Sequence, residues 1–206
     1  YEAPKGKVVS LSLSNDNNFQ WNDVVSESNE TISSVNLVGN NIIINYLKDT
    51  LSNVQIFELS GRYLQDLQFK GQGSVQGFDG DLNDKYTFFE FENFVSPPKI
   101  YKLDLITLKY SLFWQMDLPG FETEDLSTSL QFFTSKDGTK IPVHVSHQAK
   151  LKVNSNTPVL LYGYGGFNIS ILPSFSKTFY TWMKQGGVLA IANLRGGSEY
   201  GCLLYT

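Results

Sequence analysis

The run PVLLYGYGGFNIS, residues 158–170, sets the architecture of the second half of the chain, together with GGVLAIANL, residues 186–194. Each run contains continuous apolar residues, which is typical of a strand that is buried on both faces of a parallel sheet. A glycine-rich loop follows the first run. We therefore predict two buried strands of one sheet, with a loop at the end of the first.

A helix is predicted between these two strands. Its apolar residues recur at helical spacing, and they are Phe175, Phe179, Trp182 and Met183. Ser174 is the predicted N-cap, and Gly186 follows the last turn as a stop signal. Strand, helix and strand make a βαβ unit, so this half is predicted to be α/β, with a parallel sheet and a right-handed crossover.

The chain before residue 113 has the pattern of an all-β fold. Hydrophobic, polar, Leu triplets begin at Leu11, Phe57 and Tyr101, at intervals of 46 and 44 residues. A four-stranded propeller blade repeats about every 40 to 50 residues, so we interpret this half as two to three blades. An antiparallel meander with chance spacing is the alternative. The predicted strands lie within residues 7–14, 41–47, 53–61 and 85–92.

An acidic segment with Pro and Gly, residues 117–127, is the predicted domain boundary. After it, residues 130–146 contain two β-rich runs separated by Asp137 and Gly138. This pattern predicts a hairpin with a type I′ turn at Asp137 and Gly138.

Composition excludes several classes of protein. The 206 residues carry 16 basic and 20 acidic side chains, a net charge of -4, which offers no basic surface for nucleic acid. Cys202 is the single cysteine, so no internal disulfide or cysteine metal cluster is possible, and a reducing compartment is favoured. No apolar run approaches the roughly 20 residues that a bilayer requires, and no signal-peptide core is present. We expect a soluble, cytoplasmic protein with no cofactor, metal or membrane partner.

The glycine-rich loop, residues 163–167, follows a predicted parallel strand at its carboxyl end, where open α/β sheets bind ligands. A dinucleotide site is disfavoured, because the predicted helix begins about eight residues later with Pro173 in between. In α/β-hydrolases the corresponding loop supplies part of the oxyanion hole. The alternative is structural: the glycines form a tight turn and Tyr164 is a packing residue.

Three segments in order, SKDGTKIP (residues 135–142), LLYGYGGFNIS (residues 160–170) and ANLRGGSEYG (residues 192–201), resemble landmarks of the prolyl oligopeptidase (prolyl endopeptidase) family of serine peptidases. The resemblance implies a seven-bladed β-propeller that caps an α/β-hydrolase domain. It also implies cleavage of short peptides after proline by a Ser/Asp/His triad.

On this resemblance the fold class is β plus α/β, the last blades of a β-propeller followed by the first strands of an α/β-hydrolase domain. Residues 1–118 would be the C-terminal blades of a partial propeller, and residues 127–206 the start of a partial peptidase domain. The missing initiator methionine and the abrupt end predict that the chain is an internal fragment. The run CLLYT at residues 202–206 departs from the family pattern.

The resemblance also assigns roles to individual residues. Tyr164 resembles the tyrosine whose hydroxyl donates to the oxyanion, and Phe167 resembles the aromatic wall of the proline pocket. Residues 195–200 resemble a loop near the site, and we expect their charged side chains to hold that loop by ion pairing.

The triad is expected to follow these segments in the chain, and the residues present do not replace it. Ser198 has Tyr200 where a nucleophile elbow needs a small residue, so it is not a predicted nucleophile. His144 and His147 are an odd number of residues apart on a predicted strand and should face opposite sides. Each is expected to be partly exposed.

The leading hypothesis is a fragment of a serine-type prolyl endopeptidase, inactive and marginally stable alone, from a monomeric parent that binds short proline-containing peptides. A non-catalytic, truncated interaction module is the second hypothesis. A third places the parent among related oligopeptidases that prefer basic residues or blocked amino termini.

Overall fold

The computed structural model describes residues 3–12 and 19–201. Leu13, Cys202 and the run at residues 202–206 lie outside the described residues. In chain order the elements are β1 (Val8–Ser12), β2 (Gln20–Val25), β3 (Thr31–Val38), β4 (Asn41–Lys48), β5 (Leu51–Glu58), β6 (Tyr63–Leu67), β7 (Ser74–Gly77), β8 (Tyr86–Asn93), β9 (Ser96–Asp104), β10 (Tyr110–Gln115), β11 (Leu126–Thr134), β12 (Lys140–Gln148), β13 (Val159–Tyr164), α1 (Lys177–Lys184) and β14 (Val188–Asn193).

The described strands before residue 116 form three antiparallel sheets. β1 and β2 pair with each other, β3–β6 form the first four-stranded sheet in chain order, and β7–β10 form the second four-stranded sheet. The strands predicted from the β-rich runs are confirmed as β1, β4, β5 and β8. Phe57 lies on β5 and Tyr101 on β9, the third strand of each four-stranded sheet, so these two triplets occupy equivalent positions. This mostly β architecture is consistent with a β-propeller domain.

The two four-stranded sheets share one hydrophobic core. Alternation along β8 buries Phe89 and Phe91 while Phe88 on the other face is exposed, as the period of a pleated strand requires. Phe89 stacks on Phe78 with ring centroids 5.0 Å apart and meets Ile43 and Ile56 of the first four-stranded sheet in the same cluster. Each sheet therefore buries one face against the other.

The last four strands form a mixed sheet in the order β11-β12-β14-β13. β13 and β14 are parallel and are joined through α1, which confirms the predicted βαβ unit. The β11–β12 and β12–β14 pairs are antiparallel, so the sheet is parallel only at β13 and β14. Met183 of α1 packs on Leu189 and Ile191 of β14 and fixes the helix against one face.

The prediction that both parallel strands are buried on both faces is correct for β14 and wrong for β13. Every residue of β14 is buried. β13 is the edge strand of the mixed sheet, and Leu161 at its centre is 70% exposed. Its apolar run has no neighbouring strand on the outer side within residues 3–12 and 19–201.

The helix starts later than predicted, at Lys177, with Ser176 rather than Ser174 as N-cap. The Ser176 hydroxyl accepts from the Phe179 amide, and Phe175 before the cap packs near Tyr180, as a hydrophobic staple does. Gly186 ends the helix in the left-handed conformation, as predicted, at φ +87°. No helix in the described part of the chain has both the length and the apolar character that a membrane crossing requires.

The hairpin of β11 and β12 is confirmed, but its turn is not type I′. A type I′ turn needs positive φ at both central residues, and only Gly138 has it, at φ +89°. The Gly138 amide donates to the Ser135 carbonyl, and Ser135 and Thr139 are bonded across the loop. The connection is a three-residue loop whose last residue is the left-handed glycine.

His144 on β12 joins the mixed sheet to the first four-stranded sheet. The expectation that it is partly exposed is wrong: it is 2% exposed, and its Nε2 lies 2.7 Å from the Thr50 hydroxyl. Thr50 and Asp49 form the β4–β5 turn at φ +73° and +48°, a conformation that is costly for a β-branched residue. Burial lowers the pKa of His144 to about 4.

We expect the free energy of unfolding to rise with pH between about 4 and 6.5. In that window the unfolded chain binds a proton at His144 that the native chain excludes, so the stabilisation is complete above pH 6.5 and is lost as pH falls toward 4. The full effect is at most about 3 kcal/mol. Urea unfolding at pH 7 and pH 5 measures the part of this effect that falls above pH 5, and His144→Gln should flatten the difference.

His147→Gln, a change to a half-buried ring on the same strand, measures what any histidine removal on β12 does. If His144→Gln kept the full pH difference of the wild type, His144 would not be the responsible group.

Candidate functional site

The carboxyl ends of β13 and β14 lie side by side, and a loop follows each strand. The parallel register places Tyr164, the last residue of β13, opposite Asn193, the last residue of β14. We name residues 165–171 the β13 loop and residues 195–200 the β14 loop. Their common edge is the place where sheets of this kind bind ligands.

Tyr164 is half-buried at the base of the β13 loop. A Cβ added to Gly166 would lie 3.6 Å from the Tyr164 hydroxyl, so the phenol points along the loop without obstruction by that residue. Among the described residues this hydroxyl has no hydrogen-bond partner. The hydroxyl is therefore able to donate to a bound group.

Phe167 projects from the β13 loop and is 88% exposed. Its backbone is left-handed at φ +53°, and Asn168 follows at φ +58°. Two successive non-glycine residues in this region are uncommon and must be held by their surroundings. Of the two residues predicted from sequence, Tyr164 thus lies at the base of the β13 loop, and Phe167 lies within the loop and faces solvent.

The glycines of the two loops permit the loops to touch. A Cβ on Gly165 would lie 2.1 Å from the Arg195 carbonyl oxygen, and one on Gly196 would lie 2.8 Å from the Gly165 carbonyl oxygen. The sequence pattern connected the glycines of residues 163–167, Gly165 among them, with ligand approach or a tight turn. In the structure, Gly165 and Gly196 instead serve the close contact of two backbones.

Hydrogen bonds join the β13 loop to the β14 loop along its length. The Asn168 amide donates to the Gly196 carbonyl at 2.9 Å, and the hydroxyls of Ser170 and Ser198 lie 2.8 Å apart. The Ile171 amide donates to Glu199 Oε1 at 3.0 Å. The β14 loop therefore supports the loop that carries Phe167.

Glu199 is the functional candidate that sequence reasoning missed as an individual residue. It is 1% exposed, and its Oε1 also accepts from Asn193 Nδ2 at 2.9 Å. Its Oε2 and Asn193 Oδ1 are buried without a partner among the described residues. The adjacent glycines Gly196 and Gly197 were the feature of the sequence that could have indicated a buried Glu199, because a carboxylate can fold back over residues that have no side chain.

The prediction of ion pairing in the β14 loop is confirmed for Arg195, whose guanidinium pairs with Asp137 of the β11–β12 hairpin. This hydrogen bond holds the pKa of Asp137 well below its usual range. Tyr200 donates to Asp49 Oδ1 at 3.1 Å, and burial followed by the nearby Asp49 charge raises the pKa of Tyr200. The β14 loop is thus tied to the hairpin and to the first four-stranded sheet.

Ser198 has a serine hydroxyl as its partner, while His144 contacts Thr50, so the described side chains do not pair Ser198 with an imidazole. Within residues 3–12 and 19–201, no group of three or more His, Cys, Asp or Glu side chains could hold a metal ion.

We expect Gly197→Ala to destabilise the chain by about 1–3 kcal/mol. The new Cβ would lie 2.0 Å from Glu199 Oε2, and the carboxylate cannot move aside without losing its two hydrogen bonds. Urea unfolding measures the loss. Gly166→Ala is the matched control, since its Cβ meets nothing nearer than 3.6 Å; equal stability of the two variants would contradict the packing argument.

Comparison with known proteins assigns the chain to a family. The family described as prolyl oligopeptidase, N-terminal β-propeller domain, matches residues 1–115. The chain is 35% identical over 200 residues to a prolyl endopeptidase of Elizabethkingia meningoseptica, and 31% identical over 211 residues to a prolyl endopeptidase of Dictyostelium discoideum. Each match covers 97% of this chain and 28% of the relative.

Solved structures agree with this assignment. A structure from a study of two prolyl endopeptidases and their inter-domain dynamics superimposes with a TM-score of 0.92 at 35% identity, covering 99% of this chain and 30% of the other. Prolyl oligopeptidase B of Galerina marginata, bound to a 35mer hydrolysis and macrocyclization substrate, shares the fold with a TM-score of 0.92 at 24% identity. The chain spans less than a third of the length of these relatives, and it belongs to the prolyl oligopeptidase family of serine peptidases.

Proposed function

We propose that this chain is a segment of a serine-type prolyl endopeptidase that cleaves short peptides on the carboxyl side of proline. The observation that carries the proposal is the position of Tyr164. It ends a parallel strand at the edge where sheets of this kind bind ligands, and its hydroxyl has no hydrogen-bond partner in the described part of the chain. Membership of the family supplies the reaction class.

In this proposal residues 1–118 are blades of the propeller and residues 127–206 are the beginning of an α/β-hydrolase domain. The mixed sheet with α1 between its two parallel strands supports the second assignment. The exposed apolar edge at β13 supports it too, because a buried parallel strand needs a neighbour on each side. Further strands of the peptidase domain would supply that neighbour.

Each proposed role follows from the chemistry of acyl transfer. When a serine attacks the peptide carbonyl, negative charge develops on the carbonyl oxygen, and the Tyr164 hydroxyl would donate to it. The second donor would be the backbone N–H beside the nucleophile. Phe167 would offer a flat apolar wall to the pyrrolidine ring of the substrate. The serine, aspartate and histidine of the triad are not assigned to any described residue, so we propose that the chain alone is inactive.

We expect Tyr164→Phe in the whole protein to lower kcat/KM for a proline peptide by about 100- to 1000-fold. The substitution removes the hydroxyl and keeps the ring, so the loss should appear mainly in kcat, because the bond forms in the transition state. Steady-state kinetics with a proline-containing chromogenic peptide measures it.

Tyr162→Phe is the matched control, since it removes a hydroxyl from the same strand two residues before the carboxyl end. If Tyr164→Phe and Tyr162→Phe had the same kcat, Tyr164 would not be an oxyanion donor.

The exposure of Phe167 favours a second candidate, an interaction module that binds peptides without chemistry. Labelling with a fluorophosphonate, which modifies activated serines, separates the two candidates. We expect the whole protein to be labelled and to run well above the 23.2 kDa of this chain. An unlabelled protein of about that mass would favour the interaction module.

A substrate preference for basic residues or blocked amino termini in place of proline is the alternative within the same fold, and a peptide library profile of the whole protein would decide between them. We further propose a cytoplasmic, monomeric parent without a cofactor. The single cysteine supports the reducing compartment.

A further inference from the structure

We propose that Glu199 is a positioning residue that holds the β13 loop in the shape that places Phe167 against the substrate. This inference rests on the proposed function. Glu199 and Phe167 lie on different loops, so Glu199 would act through the backbone and would not touch the peptide.

The first observation is that both backbone groups of Ile171 are held by one buried pair. The Ile171 amide donates to Glu199 Oε1 at 3.0 Å, and the Ile171 carbonyl accepts from Asn193 Nδ2 at 2.6 Å. Asn193 Nδ2 also donates to the same Glu199 oxygen at 2.9 Å. These three bonds close a triangle at the carboxyl end of the β13 loop.

The second observation is that the β13 loop is anchored at both ends and in the middle. Its start continues β13, which is paired with β14 as far as Tyr164. Its middle is held by the bond from the Asn168 amide to the Gly196 carbonyl. Glu199 fixes its end. A loop that is constrained in this way can keep Phe167 in left-handed backbone although its side chain is exposed.

The third observation is that burial of the Glu199 carboxylate is energetically unfavourable. Burying a charged group is unfavourable unless hydrogen bonds compensate for the lost water, and Oε2 has no partner among the described residues. The hydrogen bonds that Oε1 accepts from the Ile171 amide and from Asn193 Nδ2 explain why a glutamate occupies this buried position. Among the described residues Oε1 alone of the two carboxylate oxygens accepts hydrogen bonds, so a glutamine that places its carbonyl oxygen there can keep both of them.

The experiment compares Glu199→Ala with Glu199→Gln in the whole protein. Two quantities are measured: the ratio of kcat/KM for peptides that differ only in proline or alanine before the scissile bond, and hydrogen exchange at the Ile171 amide. We expect Glu199→Ala to lower the proline-to-alanine ratio by about 10- to 100-fold and to accelerate exchange at Ile171. Glu199→Gln should recover most of both.

The control is Glu124→Ala, which removes an exposed glutamate from the connection between β10 and β11 and should leave both quantities at the wild-type value. If Glu199→Ala does not fold, Glu199→Asp replaces it, because the shorter side chain retains the charge and withdraws the oxygen from Ile171.

Either of two results overturns the proposal. One is a folded Glu199→Ala protein, or Glu199→Asp in its place, with unchanged selectivity: faster exchange at Ile171 would then leave Glu199 a purely structural residue, and unchanged exchange would show that Glu199 does not hold the loop. The other is a Glu199→Gln protein as impaired as Glu199→Ala, which would assign the effect to the charge. If the wild type cleaves no proline peptide, the proposed function fails, and exchange at Ile171 alone decides whether Glu199 holds the loop.

Discussion

The parallel pairing of β13 with β14 is the constraint on which the candidate site depends. Because the two strands run in the same direction and in register from Val159 to Tyr164, they end at the same level, and the loops that follow must emerge together. Antiparallel strands would have sent these loops to opposite edges. The glycines at 165 and 196 then remove the side chains that would keep the two backbones apart.

The β14 loop connects this edge to the rest of the molecule in three directions. Arg195 binds the β11–β12 hairpin, Glu199 binds the β13 loop, and Tyr200 binds the turn between β4 and β5. The same turn places Thr50 against His144 of the mixed sheet. The first four-stranded sheet therefore contacts the mixed sheet through a turn with left-handed backbone, and the Thr50–His144 pair at this contact is buried.

Sequence patterns predicted well what depends on local periodicity. The spacing of Phe57 and Tyr101 identified equivalent strands of two sheets, and the apolar spacing from Phe179 to Met183 identified the helix. Errors occurred where local alternatives were nearly equal in energy. Ser174 and Ser176 are both acceptable caps, and the packing of Phe175 near Tyr180 selects the second. Asp-Gly suits two turn types, and the bond between Ser135 and Thr139 selects the three-residue loop.

The sequence by itself determined part of the strands, the helix, the βαβ order and the likeness of Tyr164 and Phe167 to known site residues, because periodicity, glycine and short motifs are local properties of the chain. Only the tertiary structure decided which of these groups are buried. His144 and Glu199 have polar side chains, which sequence alone predicts to be exposed to solvent. His144 is buried because the Thr50 hydroxyl supplies a hydrogen bond that replaces water, and Glu199 is buried because the Ile171 amide does the same. β13 shows the opposite case, since an apolar run is buried only when a neighbouring strand is present to cover it.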